Sequence, residues 1–138
     1  MSDKQTRWVS ELVVLALHDE QLAEHGGAPG VRDRSLLLSA LARPQNIAAY
    51  ASPDLADLAA AYAVGIARNH AFVDGNKRTA ILVAAGVFLP LNEYEVTVTN
   101  EEIVRVMLAV ADGTLPEDQL AAWFRGWMRP TPPEDRDL

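Results

Sequence analysis

The chain contains no cysteine, so neither a disulfide nor a thiolate metal site can hold it together. It has no surplus of positive charge. The formal net charge is −7, the reverse of the balance a general nucleic-acid binder carries. It also has no apolar run long enough to cross a bilayer, because charges and prolines interrupt each stretch. The opening Met1-Ser2-Asp3-Lys4-Gln5 lacks the apolar core of a signal peptide. These absences point to a soluble cytoplasmic protein with no membrane partner and no direct nucleic-acid partner. Neither an internal repeat nor a linker divides the 138 residues, a length that suits one domain with a substantial core.

Helical spacing dominates what remains. Ser10 is expected to open a first helix with Trp8, Leu12, Leu15 and Leu22 on its inner face. Gly26-Gly27-Ala28-Pro29-Gly30 forces a loop, and Asp33 can cap a second helix carrying Leu36, Leu37, Ala40 and Leu41. Pro44 is expected to stop that helix and leave Gln45–Ala51 as an exposed loop bearing Tyr50. Ser52-Pro53 reads as the start of a third helix running to about Asn69. That helix is almost free of charge from Leu58 to Ala67, which places it at the centre of a bundle.

A fourth helix begins near Asn76 and ends at Pro90, and residues 93–98 alternate as a short extended piece. Thr99 with Glu102, and Thr114 with Glu117, read as capping boxes for two further helices, with Gly113 as a C-cap between them. The expectation is an all-α, compact single-domain helical bundle of about six helices over residues 1–128. Residues 129–138, rich in proline and mixed charge, read as a disordered tail.

One short run carries the chemistry: His70-Ala71-Phe72-Val73-Asp74-Gly75-Asn76-Lys77-Arg78-Thr79. It falls between two apolar helices. Residues 68–78 hold three cations, Arg68, Lys77 and Arg78, against the one carboxylate of Asp74. A local positive patch on an acidic chain suits a small phosphate-bearing ligand. The first N–H groups of the fourth helix have no intrahelical partner and form a ready anion site. Gly75 permits close backbone approach. Lys77 and Arg78 stand in the first turn, where the helix dipole disfavours cations unless an anion sits there too. Arg78 can grip a phosphate with two hydrogen bonds and Lys77 can act as a point charge. Asp74 is a hard oxygen donor suited to Mg²⁺. His70 can accept a proton near neutral pH. Phe72 reads as an apolar anchor for the connection. Taken singly, these residues could equally be a structural histidine, a capping turn and a solvated basic pair. The run is not a Walker A loop, because the leading glycine spacing is missing.

The pattern His-x-Phe-x-Asp-x-Asn-Lys-Arg, with His70, Phe72, Asp74, Asn76, Lys77 and Arg78 in register, resembles the signature of the death-on-curing (Doc) branch of the Fic/Doc family. Lysine at position 77 is the Doc-like feature; Fic AMP-transferases usually carry glycine there. Gly26-Gly27-x-Pro29-Gly30-x-Arg32-Asp33 and Ser39-Ala40-Leu41-x-Arg43-Pro44-Gln45 are similar to the same proteins, as is the helix leading into the run. The likeness spans roughly residues 8–127. Gly75 departs toward Fic enzymes, in which that glycine is usual.

The resemblance implies a Fic/Doc fold and the toxin of a toxin–antitoxin pair, acting as an ATP-dependent protein kinase. Its substrate would be a threonine or serine hydroxyl of elongation factor Tu, and translation would stall. Under this resemblance His70 is the base, Asp74 holds Mg²⁺, and Gly75, Asn76, Lys77 and Arg78 bind ATP phosphates. Residues 45–52 would guide the target segment. A self-inhibitory [Ser/Thr]-x-x-x-Glu-[Gly/Asn] helix is absent: Thr97-x-x-x-Glu101 is followed by Glu102. Inhibition would then come from a Phd-like antitoxin laid over the groove. Two other functions use the same residues: AMP or nucleotidyl transfer to a protein hydroxyl, and a non-catalytic peptide-binding module.

Overall fold

The computed structural model describes residues 5–133. Six helical rods form the domain: α1 Glu11–His25, α2 Arg34–Tyr50, α3 Leu55–Asn69, α4 (residues 76–91), α5 Asn100–Asp112 and α6 Glu117–Trp127. The α4 rod is wound as α-helix over Asn76–Leu82, widens to a π-helix over Val83–Phe88, and closes with Leu89–Leu91. A small antiparallel pair, β1 Tyr94–Val96 and β2 Met128–Pro130, sets Glu95 opposite Arg129.

The charge-free helix is central, as its composition predicts. Every residue of α3 from Leu58 to Ala67 is buried. Helices α2, α4, α5 and α6 pack around it. The approach of α2 is close: a Cβ built on Gly65 would lie 3.4 Å from that of Ala40. Tyr62, Ile66, Phe88, Leu120 and Phe124 fill the interior. The Tyr62 hydroxyl accepts the N–H of Val9 at 3.0 Å, so its polar end is satisfied inside the core. Burial pushes the Tyr62 pKa upward.

Several termini follow their sequence signals. Ser10 accepts from Val13 N, Asp33 from Leu36 N and Thr99 from Glu102 N. Gly113 takes the left-handed C-cap, and α3 ends at Asn69.

Other expectations are overturned. Leu12 is 78% exposed; α1 instead buries Val14, His18 and Gln21. Residues 12–17 are all apolar, so their spacing did not single out a face. Pro44 lies inside α2, which continues to Tyr50, so residues 45–50 are helix rather than loop. That leaves little free chain for a target-guiding loop at 45–52. The α3 cap is Asp54, paired with Asp57 in a capping box, instead of Ser52. The Arg125 guanidinium bonds both carboxylates and ties this helix start to α6. Thr114 bonds Asp112 instead of capping α6, whose N-cap is Pro116. Arg129 and Pro130, read as the start of a disordered tail, belong to β2, and Thr131 N donates to Glu93 O at 2.9 Å. The rest of that reading, residues 134–138, lies outside the described residues.

Candidate functional site

The polar run is the connection between α3 and α4, and it is held from both sides. At its start, Asn69 Nδ2 donates to Leu36 O at 2.9 Å, fixing the end of α3 against α2. His70 then takes the left-handed conformation, φ 51° and ψ 46°, as the C-cap. The turn leaves the His70 side chain exposed at the mouth of the connection. Ala71 O accepts two backbone N–H groups, from Arg32 at 2.7 Å and Asp33 at 3.0 Å. Val73 N donates to Gly30 O, and Phe72 bridges to Val31. The glycine-rich loop 26–33 is therefore a wall of the site, strapped along the run.

Phe72 is 1% exposed, the anchor its sequence position implies. It stacks on the His18 ring with centroids 3.7 Å apart and planes 11° apart. Sequence reasoning missed His18. The only signal was a histidine within the first helix, three residues after Leu15 and four before Leu22, and such a histidine is usually structural.

Asp74 keeps its carboxylate at the surface. Oδ1 accepts from Gly75 N at 2.9 Å and Oδ2 from Ala28 N at 3.3 Å. Gly27, at φ 125°, makes room for that carboxylate: a Cβ there would stand 3.0 Å from Asp74 Oδ2. Gly75 is the N-cap of α4 at φ 78°, a left-handed position that suits glycine, and no side chain among the described residues caps the helix. The first-turn N–H groups of α4 thus remain donors for an anion. Lys77 is exposed and Arg78 half-buried, and neither is paired with a carboxylate among the described residues.

Asn76 has a different task from the phosphate contact expected of its side chain. It is 9% exposed and folds back on the loop. Its Oδ1 accepts from Phe72 N and its Nδ2 donates to Phe72 O, both at 3.0 Å. The amide closes the connection into a ring of backbone and side chain, which leaves phosphate contact to its main-chain N–H. Thr79 is fully buried, and its hydroxyl finds no partner among the described residues.

Two ends of one short connection therefore differ in chemistry. One presents an imidazole, the other a helix start with no side-chain cap and two cations that lack a carboxylate partner among the described residues, and Asp74 stands between them. The arrangement can receive a polyanion beside a proton acceptor. As to a metal, no group of three or more acidic, histidine or cysteine side chains clusters among the described residues. A single carboxylate with spare lone pairs fits Mg²⁺ only if phosphate oxygens complete its shell.

Residues 8–88 match the model of the Fic/DOC family. The chain is 34% identical over 120 residues to the protein kinase doc of Escherichia phage P1, an alignment that covers 86% of this chain and 94% of that protein. The chain belongs to the Fic/Doc family. It is also 54% identical over 71 residues to the toxin Doc of Mycolicibacterium smegmatis, about half of each chain. The Fic/Doc match ends at Phe88, so it takes in α1, the glycine-rich wall, the whole polar run and most of α4. No helix among the described residues is long and apolar enough to cross a membrane.

Proposed function

We propose that this Fic/Doc chain is the toxin of a toxin–antitoxin pair and a protein kinase. It moves the γ-phosphate of ATP to a threonine or serine hydroxyl of elongation factor Tu and so arrests translation. The observation that carries the reading is the exposed imidazole of His70 at one end of a connection whose other end is a helix start with no side-chain cap and with Lys77 and Arg78 unpaired among the described residues. The names of the two relatives, a protein kinase and a toxin, support it.

In this reading His70 accepts the proton of the target hydroxyl as its oxygen bonds to the γ-phosphorus. The bond from that phosphorus to the bridging oxygen breaks, and ADP leaves with the electron pair. Arg78, Lys77 and the N–H groups at residues 76–78 hold the phosphate oxygens and balance their charge. Asp74 is the residue to hold Mg²⁺, which when bound neutralises phosphate charge. The protein's part is positioning and electrostatics, with no covalent intermediate on the chain. A Phd-like antitoxin covering this face accounts for inhibition, since the chain lacks a self-inhibitory motif.

The test is incubation of the purified, antitoxin-free chain with elongation factor Tu and ATP labelled at either the γ- or the α-phosphate. Label from the γ-position on the factor supports the kinase. Label from the α-position replaces it with nucleotidyl transfer. No label from either, with His70→Ala still arresting growth on expression, leaves a binding module.

A further inference from the structure

We infer that His18, in α1 and outside the motif, is a positioning residue for the site: it fixes the peptide plane between Asp74 and Gly75. Its purpose rests on the proposed phosphate chemistry; the contact itself rests on geometry alone.

His18 is 2% exposed, and a buried imidazole needs a hydrogen-bond partner. Its Nε2 lies 2.7 Å from the main-chain oxygen of Asp74. A carbonyl only accepts, so Nε2 carries the proton and donates. The same ring lies flat on Phe72. One side chain thus holds two residues of the run, Phe72 by its face and Asp74 by its edge. The edge also runs beneath Gly75, where a Cβ would meet His18 Cδ2 and Nε2 at 3.6 Å each.

The peptide plane gives these contacts their consequence. The Asp74 carbonyl and the Gly75 N–H belong to one rigid unit. His18 holds the carbonyl from the core side, and Asp74 Oδ1 takes the N–H at 2.9 Å from the surface side. Rotation of the plane breaks both bonds. With the plane fixed, the Asp74 carboxylate is aimed, and the first turn of α4 starts from a fixed direction. A packing role alone would be served by any apolar side chain of similar size. The imidazole adds a directed donor at the point where the metal-holding carboxylate and the phosphate-binding turn meet.

The experiment compares the intact wild-type chain with His18→Phe, which keeps a ring on Phe72 but has no donor, and His18→Gln, whose amide places a donor near the Nε2 position. Two readouts are taken: amide hydrogen exchange in the free chain, and kcat and KM for Mg·ATP with elongation factor Tu. For His18→Phe, exchange is expected to quicken at Gly75 and Thr79, the amides of this turn that are hydrogen-bonded, and not across α2 or α3. Its kcat is expected to fall about tenfold or more, further than KM rises, as for other lost supporting contacts. His18→Gln is expected to recover most of both. Exchange in His18→Phe equal to wild type overturns the inference, and so does a glutamine variant no better than the phenylalanine one. If His18→Phe does not fold, His18→Leu takes its place under the same criteria. If the wild type transfers no phosphate, the kinase reading falls, while the exchange comparison still decides whether His18 holds the plane.

Discussion

Arg32 holds the carbonyl of His70: its Nε donates at 2.8 Å, and Nη2 reaches Asn69 O at 3.4 Å. The guanidinium therefore sits at the C-terminal end of α3, where carbonyls lack intrahelical donors and a cation is favoured. It also bears on the one non-glycine residue of the site in the left-handed region. Arg32→Met is expected to leave the melting temperature within a few degrees, because an exposed contact of this kind contributes under about 1 kcal/mol. Transfer activity is expected to fall several-fold, because the turn that presents the imidazole is released. Wild-type activity in this variant refutes the positioning of His70 by Arg32.

The left-handed conformation separates shape from chemistry at His70. A side chain bearing Cβ pays about 1–2 kcal/mol there, and glycine does not. His70→Gly is expected to melt no lower than His70→Ala, with neither variant transferring phosphate. A residual rate in His70→Gly near that of wild type would remove His70 from its role as base.

Asn76 and its two cationic neighbours divide structure from binding. Asn76→Ala breaks two buried hydrogen bonds to Phe72 and is expected to lose about 2–3 kcal/mol of stability in urea titrations. Lys77→Ala and Arg78→Ala remove cations from a helix start and are expected to hold or slightly raise stability. Their loss is in catalysis. Arg78→Ala is expected to lose the more, because the two-pronged contact proposed between its guanidinium and a phosphate disappears, and losing a charged contact of this kind costs about 2–5 kcal/mol. Equal activity of Arg78→Ala and wild type refutes the phosphate placement.

The motif was legible because its residues are adjacent in the chain; its supports were not, because they come from elsewhere. Nothing local to His18 points to Asp74, 56 residues away, and nothing in Gly27-Ala28 announces a carboxylate contact. Helix starts with a single polar cap, at Ser10, Asp33 and Thr99, were readable from composition. The α3 start was not, because Ser52, Asp54 and Asp57 all compete for it. The side chain of Arg125 from α6 bonds the two aspartates. Pro44 misled for a related reason. Its ring removes the donor to the Ala40 carbonyl, yet Pro44 is buried in a helix packed tightly on α3, and that tertiary packing outweighs the local preference. Asn76 read as a ligand because its bond to Phe72 spans only four residues and looks like any helix-start amide.

Thr79 offers a test of the core beside the site. Its hydroxyl is buried without a partner among the described residues, and a buried unsatisfied group costs about 1–3 kcal/mol. Thr79→Val keeps the shape and removes the hydroxyl. It is expected to raise the urea midpoint by the equivalent of about 1 kcal/mol with activity unchanged. A clear loss of stability means that the hydroxyl has a native partner and the packing at the first turn of α4 differs from that described.

A carboxylate far from the site contributes to the acid sensitivity of the fold. Glu102 of α5 accepts from Arg105 at 2.8 and 2.7 Å and from Trp123 Nε1 of α6 at 2.9 Å. The Arg105 guanidinium, and then the indole N–H, hold its pKa at about 2 against an ordinary 4.5. The folded state therefore binds this proton less readily than the unfolded chain. The stabilisation is fully present above pH 4.5 and is lost as the pH falls toward 2. Asp54 shifts in the same direction because of Arg125, so the start of α3 weakens under acid as well. Glu102→Gln removes the titrating group while keeping its shape. The melting temperature of wild type is expected to drop more steeply than that of the variant between pH 4.5 and 2, with Trp123 fluorescence changing over the same interval. Parallel profiles for the two proteins would show that the α5–α6 contact does not set acid stability, and that Asp54 with the remaining carboxylates carries it instead.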